Sequence, residues 1–277
     1  MSEHKGRVLV IAGSDSGGGA GIQADTKTIT ALGGFATTAV TALTAQNTTA
    51  VTEIHAPPPE FLAAQINAVY NDIGADAVKL GMLHDTDTIT TAANFLARAR
   101  SEQPGLPVVA DPVMFAAAGA RLLRADAEQA LAAQIIPLAT VLTPNLPEAE
   151  HLLAREIRHD SENLAAAARD LRKLGAENVL LKGGHLQDNN NPTAHIIDTL
   201  AGADGEIQFR HRRLPVRGAA HGTGCTLASA VATRLAFGDS VSDAVEKARE
   251  YVRGAIAHAR GFGHGATPLH HGWRSSV

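Results

Sequence analysis

Short, wholly apolar runs alternate with longer stretches whose apolar positions recur every three to four residues, and this rhythm predicts a buried parallel sheet covered by helices. Residues 8–12, 36–43, 77–80, 108–110, 141–142 and 179–181 carry the short β-rich runs, while 22–32, 61–70 and 86–100 carry helical spacing. Strands without polar alternation are those buried on both faces. Further on, the segment 227–235 reads as a helix, and Val241, Ala244, Val245, Ala248, Val252, Ala255 and Ile256 mark one face of another, expected beside it on the sheet. The clearest loops, 57–59 and 188–192, are too short to link domains, and no period of 20 to 50 residues repeats. One α/β domain spanning 1–277 is therefore expected.

Charge and composition narrow the partners. The chain has 24 Lys+Arg against 28 Asp+Glu, and no basic block interleaved with aromatics, so nucleic acid is not expected. Between Lys27 and Glu53 lie 25 uncharged residues, but nine are threonine and Gly33-Gly34 interrupts them, which argues for strand and loop rather than a membrane span. The single cysteine forms no internal disulfide, and 1–7 is polar with no apolar signal region, pointing to a cytoplasmic setting. A small-molecule ligand fits best.

Candidate chemistry gathers at the ends of the runs. The stretch Ala220-His221-Gly222-Thr223-Gly224-Cys225-Thr226 leads into a helix start, where free backbone N–H groups attract anions and the macrodipole is expected to lower the Cys225 pKa. Gly222 and Gly224 also suit an ordinary turn, and Cys225 also suits a small packing residue. The glycine-rich turn after the first strand, with Gly19, Gly21 and Ala24, matches G-x-G-x-x-A, but no Asp or Glu follows Asp25 until Glu53, so the ribose partner of a dinucleotide site is missing. Walker A fails as well, for want of Gly-Lys-Ser/Thr. Asp25 suits either a dipole-favoured helix start or a ligand's amino or hydroxyl group, and Gln46 offers a two-way amide. Beyond other strand ends stand Met82, Asp111, Asn145 with Glu148, and Lys182. Singly they read as core filler, turn formers, a first-turn acid and a solvated charge. Jointly they supply carboxylates and a carboxamide for Mg²⁺ and its waters, a cation for phosphate and amides for developing charge.

The chain resembles the hydroxymethylpyrimidine and hydroxymethylpyrimidine-phosphate kinases of thiamin biosynthesis, within the ribokinase-like superfamily. The likeness runs over nearly the whole sequence, through 12–25, 41–48, 79–83, 143–149, 181–185 and 221–226. It implies a central, mostly parallel sheet flanked by helices on both faces, ATP and Mg²⁺ as cofactors, an aminopyrimidine alcohol as substrate and a homodimer. It implies further that Gly13, Asp25, Gln46, Met82 and Val113 bind the pyrimidine, and that Cys225 stands where many members carry an aspartate base. Gly222 and Gly224 would belong to the anion hole, Lys182, Asn145 and Thr223 would face ATP phosphates, and Asp111 and Glu148 would hold Mg²⁺ largely through water. Two departures bear on the second phosphorylation. Ala116-Ala117-Ala118-Gly119 stands where the family usually has Ala-Lys-Ser-Gly, and Ala219-Ala220 where Asn-Thr is common. His264, His270 and His271 follow the family's C-terminal pattern rather than a closed metal set. A pyridoxal-type kinase and a non-catalytic pyrimidine-binding homologue are the alternative readings.

Overall fold

In the computed structural model the described residues are 5–116, 119–184, 195–214 and 220–274. The runs expected as strands form β1 (Arg7–Asp15), β2 (Phe35–Gln46), β4 (Ala77–Leu80), β5 (Val108–Ala110), β6 (Val141–Leu142) and β7 (Asn178–Leu181). Three more join them: β3 (Val51–His55), β8 (His195–Gly202) and β9 (Gly205–Arg212). All nine make one sheet in the order β3-β2-β1-β4-β5-β6-β7-β8-β9. From β2 to β7 neighbours run parallel, whereas β3 lies antiparallel to β2, β8 to β7 and β9 to β8.

Helices cover both faces because each central strand alternates its side chains between two apolar layers. Leu9, Ile11, Val78, Leu80, Val108, Ala110, Leu142, Val179 and Leu181 face one layer. It is closed by α2 (Pro59–Tyr70), α3 (Thr86–Glu102), an irregular stretch 125–138 whose one α-helical turn is α4 (Glu128–Ala130), α5 (Leu146–Leu153) and α6 (Ser161–Arg172). Val8, Val10, Ala12, Ala77, Val109, Val141 and Leu180 face the other, closed by α1 (Gly21–Ala31), α7 (Thr223–Ala236) and α8 (Val241–Ala257). Of the spaced residues of α8, Ala244, Val245, Ala248, Val252 and Ala255 are buried, together with Tyr251, while Val241 and Ile256 at its two ends are partly covered. α7 packs on β1, β4 and β5 and also against α1 and α8, so its residues from Thr226 to Thr233 are buried without a break.

The connection after β1 runs to β2 on one side and the connection after β4 runs to β5 on the other, which makes the β1/β4 border a switch point, the place where open α/β sheets bind ligands. Strand β1 runs past the predicted 8–12 because a register shift between Ala12 and Ser14 lets Ser14 and Asp15 keep pairing with β2. Helix α2 begins at Pro59, inside the expected loop, since proline suits the first helical turn. The loop 188–192, His185, Ala117, Ala118 and Ala219 lie outside the described residues. Among the described residues no helix is long and apolar enough to cross a membrane.

Candidate active site

A cavity of about 340 Å³ opens at the strand ends around the switch point. The N-terminus of α7 forms part of its wall. Gly222 is the N-cap, with φ +84, and no described side chain caps the helix. A side chain at Gly222 would begin 1.9 Å from Gly19 O, so only glycine lets the two loops meet. By contrast, α3, α5, α6 and α8 are capped by Asp85, Asn145, Asp160 and Ser240. The leading amides of α7 are thus left available to an anion in the cavity.

Cys225 lies in this first turn and lines the cavity. Its pKa is not lowered as expected. Burial pushes it up to about 11, reinforced by Asp25 and Asp111, and this outweighs Lys79 and the Gly21 amide. Desolvation is the largest of these effects.

Asp25 also departs from expectation, since it does not reach the cavity. It is fully buried beneath the floor, with Lys79 Nζ at 2.9 and 2.8 Å from its two oxygens and Ser229 Oγ donating to Oδ1 at 2.7 Å. The reason lies in strand alternation. Lys79 occupies the position on β4 that faces α1 and α7, and those helices supply Asp25 and Ser229. Gly81 makes room, because a side chain there would begin 2.8 Å from Lys79 Nζ. Burial opposes the lysine's charge, but Asp25, Cys225 and Asp111 overcome it and raise its pKa. Burial likewise pushes the Asp25 carboxyl up, while the lysine and serine contacts favour its charged form. Lys79, not Asp25, lines the cavity.

Beside α7 sits a second ion pair. Lys182 Nζ donates to Asp111 Oδ1 at 2.8 Å, and Thr143 Oγ1 donates to the same oxygen at 3.1 Å. A side chain at Gly224 would begin 3.0 Å from Lys182 Nζ and 3.3 Å from Asp111 Oδ2, so both groups lie against the first turn of α7. Glu148 and Asn145 form a capping box at the start of α5, with Asn145 Oδ1 accepting from the Glu148 amide at 2.9 Å. This leaves the Asn145 NH₂ as its available donor. Burial pushes the Glu148 carboxyl up to about 7; Lys182 lowers it and Asp111 raises it. A buried carboxyl short of positive charge, next to a second carboxylate, suits a divalent cation held partly by water and substrate phosphate. Among the described residues no group of three or more His, Cys, Asp or Glu forms a dedicated metal cage.

Opposite the amides stands an apolar wall in which Met82 and Leu122 pack with Val113 and Ala116. Gly13 brings the β1 backbone close to it, as a side chain there would begin 2.9 Å from Met82 Sδ. Gln46, at the end of β2, is half-buried at the rim. The structure therefore brings Gly13, Gln46, Met82, Val113, Asp111, Asn145, Glu148, Lys182, Gly222, Thr223, Gly224 and Cys225 around one cavity, and leaves Asp25 behind it. Sequence reasoning passed over Lys79, Asp15 and His221. A lysine inside a four-residue buried strand was the visible signal for the first, but nothing local marked the other two, which meet across 206 positions. A second depression of about 320 Å³, between α2 and α3, contains none of these residues.

Free helix-start amides facing an ammonium group and carboxylates are the means of phosphoryl transfer, and likeness to solved vitamin-kinase structures makes this a kinase of ribokinase-like fold. The family model for phosphomethylpyrimidine kinase matches residues 15–270. The hydroxymethylpyrimidine/phosphomethylpyrimidine kinase of Haemophilus influenzae is 42% identical over 268 residues, 96% of each chain. The thiamine biosynthesis bifunctional protein ThiED of Geobacter sulfurreducens is 46% identical over 267 residues, 96% of this chain, which spans only 52% of that longer protein. Among solved structures, the ADP complex of Bacillus subtilis pyridoxal kinase superposes with a TM-score of 0.83 at 32% identity, covering 97% of this chain and 98% of that one. The chain belongs to the phosphomethylpyrimidine kinase family.

Proposed function

We propose that the protein transfers the γ-phosphoryl group of ATP to the hydroxymethyl oxygen of 4-amino-5-hydroxymethyl-2-methylpyrimidine, and then to the phosphate of the product, in thiamin biosynthesis. Family membership and the names of its relatives support this reaction. The single observation that carries the chemistry is the uncapped start of α7, which faces an apolar slot across a cavity holding Lys182 and Cys225. In this reading Met82 and Val113 line the ring beside Gly13, Gln46 hydrogen-bonds its polar edge, and Lys182, Thr223 and the Asn145 NH₂ hold nucleotide phosphates. The amides of Gly222 to Cys225 stabilise charge on the migrating group. A thiol with a pKa of about 11 is protonated at neutral pH, so Cys225 holds the alcohol in line and is not a resting base. The alcohol's proton leaves late, as expected for a loose transition state, and passes to the transferred phosphoryl group.

Asp111 and Glu148 are the residues that would hold Mg²⁺, which supplies charge neutralisation on the phosphate oxygens. We further place the protein in the cytoplasm as a homodimer and treat 1–277 as one kinase domain. Incubation with Mg-ATP and hydroxymethylpyrimidine, followed by mass analysis, tests the reading: mono- and diphosphate products are expected, and absence of any transfer refutes it. The Cys225→Ala variant should lose most kcat while its pyrimidine Kd stays within about threefold. Likeness to a pyridoxal kinase favours one second reading, phosphorylation of pyridoxal, which competition between the two alcohols in one ATP assay would decide.

A further inference from the structure

Asp15, at the end of β1, is buried and accepts only from obligate N–H donors: Gly17 to Oδ1 at 2.8 Å, and Gly19 and Ala20 to Oδ2 at 3.1 and 2.8 Å. His221 Nε2 stands 2.9 Å from the same Oδ2. A carboxylate surrounded this way is ionised, so the facing imidazole nitrogen must carry a proton. Gln46 Nε2 lies 3.4 Å from that nitrogen, which sets donor against donor. On the other side of the amide, Thr44 Oγ1 is 2.9 Å from Ser14 O and 3.2 Å from Gln46 Oε1, with one hydrogen to give. A half-turn of the amide resolves both ends. Its oxygen then faces the His221 N–H and shares with Asp15 Oδ2 the one hydrogen that nitrogen carries, its nitrogen donates to Thr44, and Thr44 donates to Ser14 O.

We propose that the Asp15–His221 pair positions the Gln46 amide with its oxygen toward His221, and thereby fixes the direction in which an aminopyrimidine alcohol lies in the cavity. The inference rests on the pyrimidine reading above and deepens it. Around the ring edge the substrate presents its hydroxymethyl group, then its amino group, then a bare ring nitrogen. An amide with its acceptor on the His221 side takes the amino group there and the ring nitrogen on the Thr44 side. The hydroxymethyl group, next to the amino group, then points to Gly222 and Cys225, since His221 directly precedes that loop. The opposite amide would send the alcohol away from the phosphoryl-binding amides. Asp15 and His221 are positioning residues, and Gly19 is kept bare for them, because a side chain there would begin 2.3 Å from the imidazole.

The test compares hydroxymethylpyrimidine with its analogue lacking the 4-amino group, using the full-length enzyme and Mg-ATP. The wild type should prefer the amino compound in kcat/KM by about tenfold or more, the worth of one to two hydrogen bonds. Asp15→Ala, which removes the acceptor that holds the proton on the facing imidazole nitrogen, should bring that preference to within about twofold, with KM for ATP little changed. An equal fall for both compounds means a merely structural role and overturns the proposal. Should Asp15→Ala not fold, His221→Gln, which keeps an N–H toward Asp15, should retain the preference that His221→Leu loses; equal behaviour of these two also overturns it. Independently, ¹⁵N NMR of histidine-labelled wild type, with His221→Gln to assign the signal, should show a protonated Nε2, and a bare Nε2 overturns the pair's role. If the wild type phosphorylates neither compound, the pyrimidine reading fails instead, and the NMR result alone decides the pair.

Discussion

Lys79 shows how one residue can be concealed by good strand grammar. Its position on β4 is one that alternation reserves for an apolar side chain, and it is tolerated only because α1 and α7 deliver Asp25 and Ser229 to meet it. Removing one partner of a buried pair leaves an uncompensated charge, so Lys79→Met should destabilise the fold by about 3–5 kcal/mol in urea unfolding. Replacing both, Lys79→Met with Asp25→Leu, should recover most of that loss. A double variant no more stable than the single would show that the pair is not the source of the effect. Cys225 makes a second residue-scale prediction. With its thiol pKa near 11, iodoacetamide should modify the folded protein slowly at pH 8 and progressively faster up to about pH 11. Rapid alkylation at pH 7 would return the residue to the thiolate class that its helix position suggested.

At the level of elements, the central strands and the helices over them were legible, because β1, β4, β5, β6 and β7 are apolar runs and α3 and α8 repeat at helical spacing. The strands β8 and β9 and the helix α6 were not. On β9, Glu206, Ile207, Arg210 and Arg212 are exposed and Gln208, Phe209 and His211 only partly covered, so no apolar run announces a strand at the end of the sheet. The segment after α8 was read from the sequence only as a family pattern of histidines, and its bracing of the site was not legible. His271 is buried and contacts Thr226 Oγ1 at 3.0 Å, and Tyr251 donates to its carbonyl at 2.7 Å. Burial, with Lys27 and His270 nearby, lowers the His271 pKa to about 4. An unfolded histidine titrates near 6.5, so the unfolded chain takes up the proton first and stability should fall as the pH drops from about 6.5 to about 4, levelling off below. His271→Asn should flatten that part of the stability profile; an unchanged slope would assign it to other groups. Gly254→Ala, whose methyl would begin 2.0 Å from the Trp273 ring, should lower Tm and shift the emission of the chain's single tryptophan. Unaltered emission would mean the ring does not rest there.

Taken whole, the molecule has two apolar layers that share every central strand, which leaves neither layer able to form without the sheet between them. Heat or urea should therefore unfold it in one step, with far-ultraviolet circular dichroism and Trp273 fluorescence giving the same midpoint. Separate midpoints would divide the chain into more than one unit. The candidate site was legible in part for a related reason. Met82, Asp111, Asn145, Glu148 and Lys182 sit just past strand ends, where an open sheet gathers its chemistry. Asp25 was misplaced because the sequence shows its helix position but not which side of the floor it faces.

The segment beyond α8 has a practical consequence. The Ala266 amide donates to Thr48 O at 2.8 Å beside the β2–β3 turn, and Thr267 and Pro268 pair with Ala220 and His221 just ahead of α7. These few residues near the tail tie the rim carrying Gln46 to the loop that receives phosphate. Trimming the chain before Thr267, or crowding it there with a fusion, should disturb alcohol and nucleotide together, whereas added sequence at the amino end leaves this tie alone.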